Sequence, residues 1–352
     1  MTMISPDDLA RAVRAGVIDQ AAAERLSAFL NSPQNDVSTE SSEDEQLRLV
    51  SGFGDIFVAI GLVLFLGALF FLTLDVSWIV PSLAVAAASW GLAELFTRLR
   101  RQALPSILLL ISFAATVFMA AVKIVDGTDS VAFSSDFGDG PTLALGGLAT
   151  CLAVALHWWR FRVPVTVAAA CAAVTAVVLG ALQAVSPDIT SALGGIVFLP
   201  IGLAVFALAM AFDISDRQRR TRRTDIAFWL HALAAPMVVH PVMQNIMQGD
   251  TPGTAATVTI FVAFSLLGLV ALTVDRRAML VSSLIYLGYA IYALLQNGEA
   301  LPSTSLVVLL VGAVVLGLSL AWRPLRAALL KSLPAAITAR VPPAHLTSLK
   351  TG

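Results

Sequence analysis

The chain has 352 residues, of which 58% are hydrophobic and only 13% charged, and its formal net charge is −1. Soluble proteins average about 45–50% apolar and about 25% charged residues. The mean hydropathy of +0.85 comes from blocks of about 20 nearly uncharged residues, long enough to cross a hydrocarbon core of ~30 Å. This composition excludes a soluble enzyme, a nucleic-acid-binding protein and a disulfide scaffold. It predicts an all-α polytopic membrane protein with about ten transmembrane helices.

The polar N-terminal segment, residues 1–30, is predicted to form a cytoplasmic helical hairpin. Gly16 is expected to end its first helix, and Asp19 to cap the second. Because so small a hairpin cannot bury a core alone, it must pack on its own membrane domain, on a sister chain, or on a protein partner through its apolar edges. Residues 31–52 are predicted to be a flexible linker, because Asn31 to Gln46 are polar, acidic and without aromatic residues.

The predicted transmembrane domain covers residues 53–322. Helices are the expected form because hydrocarbon offers backbone groups no partner outside their own segment. The ten predicted spans are 53–74, 78–96, 103–125, 141–159, 163–185, 189–212, 226–247, 253–274, 278–296 and 305–322.

Basic residues alternate between the connections of these spans. One side carries 21 of the 22 Lys and Arg residues, with Lys123 the exception, whereas the connections on the other side carry eight acids. Because basic short loops are retained in the cytoplasm, this asymmetry predicts that both termini are cytoplasmic.

Residues 323–352 are predicted to be a cytoplasmic basic amphipathic tail. Its first part, Arg323 to Leu333, alternates basic and apolar residues and is expected to form a short helix on anionic inner-leaflet lipids. The Arg217–Arg223 cluster would contact the same headgroups. The alternative for both segments is that their charges only determine topology.

The sequence contains no recognisable catalytic or metal-binding motif, so no enzyme activity, cofactor or metal is predicted. His157 precedes two tryptophans at a membrane interface, where an aromatic belt explains it. Cys151 and Cys171 flank the short turn at Arg160–Arg162, and are predicted to lie near each other at matching depth in reduced form.

Span seven, IAFWLHALAAPMVVHPVMQNIM, is the unusual one. Pro236 and Pro241 each remove a backbone donor, which predicts a bend or an opening between Ala232 and Pro241. His240 lies on the same face as Gln244, whereas His231 points roughly the opposite way. The candidate polar path comprises His231, His240, Gln244, Asn245 and, from span nine, Tyr286.

Two functions of different classes are compatible with this pattern. Small-solute transport or a permease-like role is the leading hypothesis, because broken polar spans line substrate sites in transporters. The alternative is a structural or assembly protein that docks a partner through its N-terminal hairpin. An embedded enzyme ranks third. For span seven alone, a structural kink with side chains bonded to neighbouring helices remains open.

The segments DLARAVRAGVIDQAAAERLSAFL (Asp8–Leu30) and GDIFVAIGLVLFLGALFFL (Gly54–Leu72), joined by the acidic linker, resemble bacterial predicted membrane proteins of unknown function. In that family a short helical segment precedes many spans. The resemblance covers roughly the first 75 residues and implies a multi-pass protein of the bacterial inner membrane. It implies no activity.

Overall fold

The structure, a computed structural model, divides the chain into two units, residues 1–46 and 47–352. It describes residues 13–17, 19–24, 53–74, 77–127, 139–187, 194–216, 219, 221–246, 254–277, 280, 284, 286–288, 291–292 and 304–342. These residues form helices and turns and contain no strand, which confirms the prediction of an all-α fold. The linker predicted at 31–52 lies outside the described residues.

Two predicted helix ends of the first unit are confirmed. Gly16 adopts φ +69°, and its N–H donates to the carbonyl of Val13 at 3.0 Å. This left-handed conformation is the one that glycine adopts without steric cost after a helix. Asp19 caps the following helix, because its Oδ1 accepts from the N–H of Ala22 at 2.5 Å.

The second unit is built from long apolar helices. In chain order they are α1 Phe53–Leu74, α2 Ile79–Ala93 with a π-helical continuation Glu94–Leu99, α3 Ala103–Asp126, α4 Gly140–Phe161, α5 Val165–Val185, α6 Phe198–Ser215, α7 Arg222–Ile246, α8 Thr254–Val274, α9 Thr304–Ser332 and the short α10 Ala335–Thr338.

Eight of the described helices, α1–α7 and α9, are long and apolar enough to cross a membrane. The apolar stretch of α8, Val258–Val274, is shorter. The predicted span 278–296 lies mostly outside the described residues. The chain is therefore a multi-pass helical membrane protein, and the predicted total of ten spans stays a prediction.

The outer surface of these helices is apolar. Phe57, Leu72, Leu152 and Leu320 are between 67% and 85% exposed. A water-facing surface rarely exposes contiguous apolar patches larger than a few hundred Å². Such side chains lie against lipid, which solvates them without the cost that water would impose.

Helices α4 and α5 form an antiparallel hairpin whose backbones touch. A Cβ on Gly140 would lie 2.4 Å from the backbone nitrogen of Ala184, and a Cβ on Gly180 would lie 2.4 Å from that of Ala144. Membrane helices commonly use small residues for such close approach, because it increases van der Waals contact in a medium without a hydrophobic driving force.

The same register relates the two cysteines. Gly147 faces Ala173 across the hairpin, with a Cβ–O separation of 2.8 Å for a built Cβ. One helical turn further along α4, Cys151 comes to the level of Cys171, as predicted. Both cysteines are free in the structure, and their reduced state in the cell stays a prediction.

Helix α6 differs in extent from its predicted span. It begins at Phe198 and follows a 3-10 turn at Gly194–Val197, whereas residues 189–193 of the predicted span lie outside the described residues. It also continues to Ser215, beyond the predicted end at 212. Asp213 does not end the helix because its side chain has partners on neighbouring elements.

Helix α7 runs without interruption through Pro236 and Pro241. The predicted opening of the backbone between Ala232 and Pro241 is therefore wrong, while the bend stays a prediction. Buried residues on both sides of Pro236, including Leu230 and Val239, hold the helix in place by tertiary packing. Membrane helices tolerate prolines when their surroundings compensate for the lost bonds.

Helix α9 continues through Pro324 as far as Ser332. Residues 323–332 therefore extend the membrane-spanning helix, rather than forming the separate surface helix expected from their basic and apolar alternation. The reason is that Trp322 and Arg326 are buried against other parts of the chain. Their packing keeps residues 323–332 helical and continuous with α9.

Candidate functional site

Two polar side chains meet inside the helix bundle, where α6 packs on α7. His231 of α7 is 0% exposed, and its Nε2 lies 2.9 Å from Oδ2 of Asp213 in α6, which is 2% exposed. In the neutral tautomer that this contact favours, Nε2–H donates to the carboxylate. Nδ1 has no hydrogen-bond partner among the described residues, and the ring of Phe206 lies 5.3 Å away, edge to face.

Arg276 supplies the countercharge. Its Nη2 donates to Oδ1 of Asp213 at 2.5 Å, its Nε approaches Oδ2 at 3.3 Å, and the side chain is 1% exposed. Nη2 also reaches the carbonyl of Thr224 at 3.3 Å. A buried carboxylate is costly unless it is paired and hydrogen-bonded. We call Asp213, His231 and Arg276 the buried triad.

A second cluster surrounds the residue that precedes Arg276. The carboxylate of Asp275 lies 3.0 Å from Nη1 of Arg219 and 3.6 Å from Nε of Arg326, and accepts from Nε1 of Trp322 at 2.9 Å. Nη2 of Arg219 also donates to the Asp275 carbonyl at 3.1 Å. These four residues, the Asp275 cluster, tie α9 to the turns that precede α7 and follow α8.

Arg326 extends the Asp275 cluster to the end of the described chain. Its Nε donates to the carbonyl of Leu272 at 3.2 Å, and its Nη2 to that of Pro342 at 2.6 Å. The guanidinium of Arg277 lies 5.2 Å above the ring of Trp322, a cation–π geometry. Arg326, at this end of α9, therefore has protein partners in addition to any contact with lipid headgroups.

The triad and the cluster are joined by a single peptide bond. Asp275 adopts φ +60°, a conformation that is uncommon for residues other than glycine. The turn directs its carboxylate to α9 and the guanidinium of Arg276 into the bundle, to α6 and α7. Opposite charges on adjacent residues thus connect the ends of four helices.

Small residues allow α6 to approach α7 above the triad. A Cβ on Gly202 would lie 2.9 Å from Cβ of Met237, and Ala209 is completely buried. Gly202, Ala209 and Asp213 are spaced so that they share one face of α6. This face brings the backbones close enough for the carboxylate to reach His231.

His240 lies far from the triad. It lies nine positions after His231, which corresponds to about 13 Å along the helix axis. His240 is exposed, and its Nδ1 contacts the hydroxyl of Tyr286. The two ring centroids are 6.1 Å apart. The structure therefore brings together His240 and Tyr286 from the predicted path, but not the two histidines.

The remaining two predicted path residues lie in the last turn of α7. Gln244 and Asn245 are helical, and their side chains are outside the described part of the structure. Their predicted place in a polar path stays a prediction.

His157 is not the interfacial residue that its neighbours suggested. It is 1% exposed, and its ring packs on Trp90, Phe113 and Phe161 at centroid distances between 4.6 and 5.9 Å. Nδ1 lies 3.4 Å from the hydroxyl of Thr166. The expected belt position is filled instead by Trp159, which is 74% exposed.

Sequence reasoning missed three residues of this site, namely Asp213, Asp275 and Arg276. All three lie at the ends of apolar blocks, where charged residues normally reach water and set topology. One sequence feature could have indicated them. Acidic residues occur in connections that are otherwise basic, as in the segments FDISDR and VDRR. Acids there do not favour retention in the cytoplasm, so they require another explanation.

Comparison with known proteins adds no assignment. No protein-family model matches the chain, and no curated protein or solved structure is significantly similar to it. Within the described residues, no group of three or more His, Cys, Asp or Glu side chains is arranged to hold a metal ion.

Proposed function

We propose that this protein moves a small solute across the bacterial inner membrane, along a path that follows α7. The observation that carries the proposal is the buried triad. Ionisable side chains inside membrane helices are expensive, and they commonly mark substrate or ion pathways. In this chain α7 contributes His231 to the triad and, further along, His240 to the contact with Tyr286.

The triad would act as a closure at one end of the path. It joins α6, α7 and the turn after α8 through hydrogen bonds to one carboxylate, so these elements separate only when Asp213 exchanges a partner. Such an exchange has two discrete arrangements, which is what a gate requires. The proposal includes the predicted ten spans with both termini cytoplasmic, which sets the triad at the cytoplasmic end.

Thiol accessibility tests the path directly. We would introduce cysteine at His240 in a variant that lacks Cys151 and Cys171, and measure its reaction with a charged, membrane-impermeant thiosulfonate. A water-filled path predicts reaction at least about tenfold faster than for Leu64→Cys, because a charged reagent is excluded from lipid. Leu64 is a matched control, since it is 68% exposed on α1 and apolar.

If the triad closes the path, the same experiment gives a second prediction. Adding Arg276→Gln to the His240→Cys variant should increase its reaction rate in inside-out vesicles, where the reagent arrives from the cytoplasmic side. Equal, slow reaction of His240→Cys and Leu64→Cys, with or without Arg276→Gln, would contradict the transport proposal. It would favour the structural alternative, in which the triad only joins helices.

An assembly role is the second candidate function. The described part of the N-terminal unit exposes Val17, an apolar residue, to 75%. Helix-in-groove contacts use such residues. In this case, deletion of residues 1–30 should abolish a stable complex with another protein while leaving thiol accessibility in the membrane domain unchanged.

A further inference from the structure

Three exposed arginines lie in the turns that join α2 to α3 and α4 to α5, and they have no acidic partner among the described residues. Arg100 and Arg101 belong to the turn between α2 and α3, and Arg162 to the turn between α4 and α5. All three side chains are exposed, and among the described residues none of them forms an ion pair. They are therefore candidates to bind an anion from outside the chain.

The acidic side chains near these arginines are already paired or buried. Glu94 accepts two hydrogen bonds from Arg160 at 2.8 Å and one from Arg98 at 3.3 Å. Asp55 is only 4% exposed. The fork geometry of the Arg160–Glu94 pair fixes the two turns beside each other, so the three unpaired guanidiniums belong to one surface.

The position of this surface identifies its ligand class. Arg162 directly follows one membrane-spanning helix, and Arg101 lies between the ends of two others at Leu99 and Ala103, so their charges lie at headgroup depth. Leu99 and Trp159, which are 73% and 74% exposed, flank them on the apolar side. Arginine beside exposed apolar and indole groups matches a phosphate above an acyl chain.

We propose that Arg100, Arg101 and Arg162 form a binding site for an anionic phospholipid, whose headgroup phosphate accepts from the guanidiniums while its chains pack on Leu99 and Trp159. This site is independent of the proposed transport path. It lies at different helix ends from the basic segments for which the sequence predicted lipid contact.

Lipid titration with a charge-matched control tests the proposal. The purified full-length protein in a neutral detergent is titrated with phosphatidylglycerol, and its thermal unfolding midpoint is followed. Two arginines near a headgroup contribute about 1 kcal/mol each, so Arg101→Gln/Arg162→Gln should weaken the apparent affinity about 25-fold. Arg222→Gln/Arg223→Gln removes the same charge from two exposed residues of the Arg217–Arg223 cluster, and a lipid bound at the proposed site predicts a smaller loss of affinity for this variant than for Arg101→Gln/Arg162→Gln.

Three results would overturn the site. They are an equal loss in both double variants, equal stabilisation by phosphatidylcholine, and stabilisation by inorganic phosphate that matches the lipid. Unfolding midpoints without lipid should agree between wild type and Arg101→Gln/Arg162→Gln, because these guanidiniums form no ion pair. If the midpoints differ, the Arg101→Lys/Arg162→Lys variant, which keeps both charges, should recover lipid binding, and its failure to do so also counts against the site.

Discussion

Asp213 shows what a carboxylate requires in order to lie inside a membrane helix. Two hydrogen-bonding neighbours, Arg276 and His231, come from different parts of the chain, and neither is close to it in sequence. In its neutral form the imidazole adds a donor without adding charge, and the triad then contains one negative and one positive group. The charge of Asp213 is therefore compensated by a neighbouring side chain, and not by water or ions.

Removing this carboxylate should be costly. Asp213→Ala leaves Arg276 as an uncompensated buried charge, and we expect a loss of about 3–5 kcal/mol in the free energy of unfolding. The free energy would be measured by denaturant titration in mixed micelles. Asp216→Ala, in a neighbouring, partly exposed hydrogen-bonded site, should cost about 1 kcal/mol.

The double variant Asp213→Ala/Arg276→Ala separates pairing from packing. Because it removes both charges, it should be more stable than Asp213→Ala alone. If the double variant instead loses as much free energy of unfolding as the two single variants added together, Asp213 and Arg276 are not electrostatically coupled.

Asp139 provides a pH-dependent contribution at the other end of the molecule. Its side chain caps α4, and the hydrogen bonds from Thr142 lower the pKa of the carboxyl below its ordinary value. A lowered folded-state pKa stabilises the fold above the unfolded pKa of about 3.9, and this stabilisation is lost as the pH falls through the lower folded value. Asparagine also caps helices, but does not titrate in this range.

Wild type and Asp139→Asn should therefore differ by a constant amount in unfolding midpoint above about pH 5. The difference should change only at more acidic pH, with wild type losing stability relative to the variant. Melting curves between neutral pH and pH 3 would show this. Parallel curves over the entire range would mean that the cap contributes nothing through its charge.

At the scale of elements, the α4–α5 hairpin depends on the absence of side chains at its contacts. Gly180→Ala places a Cβ 2.4 Å from the backbone of Ala144, so the helices must separate. We expect a cost of about 1–3 kcal/mol, the usual range for overpacking. Gly67→Ala in α1 meets nothing within 4 Å and should be neutral or stabilising, because alanine is the better helix former.

Both variants can be compared by thermal unfolding and by the yield of monodisperse protein in detergent. Equal midpoints for Gly180→Ala and Gly67→Ala would show that the hairpin contact adjusts without strain.

The helices that sequence alone predicted well are those whose polar residues lie outside their apolar blocks. Helix α1 agrees with the predicted span at both ends, and α3 within one residue. The ends of α6 and α9 were misplaced because Asp213 and Arg326 looked like residues that leave the membrane. Their partners are distant in sequence, so no local pattern shows that they are buried.

For helix α7, the prediction from sequence was wrong in the opposite sense, because it expected a break where the helix continues. Local rules treat Pro236 and Pro241 as breaks, since each removes one backbone donor and crowds the preceding turn. They do not include the packing of Leu230, Ala234 and Val239 on neighbouring helices, which stabilises the continuous form. Of the candidate path, His240 and Tyr286 are in contact in the structure, but the sequence did not show that His231 binds Asp213.

For the whole molecule, the alternation of basic residues makes the sharpest prediction. In a variant without Cys151 and Cys171, a cysteine at Ser130 should react with an impermeant thiol reagent added to intact cells. A cysteine at Arg223 should react only after the membrane is permeabilised, because 21 of 22 basic residues lie on the side predicted to be cytoplasmic. Labelling with the opposite sidedness would invert the topology.

The adjacent charges of Asp275 and Arg276 impose an order on biogenesis. When Arg276 leaves the ribosome, Asp213 and His231 are already in the chain, so the triad can assemble at once. Asp275 must wait for Trp322 and Arg326, which follow about 50 residues later, or a few seconds of synthesis at about 5–20 residues per second. During that interval Arg219 is the only residue of the Asp275 cluster that can pair with Asp275. The triad partners of Arg276 are then present in the chain, whereas two partners of Asp275 are still missing. A nascent chain arrested before α9 would therefore carry the residues of the triad beside an acidic turn that still lacks Trp322 and Arg326.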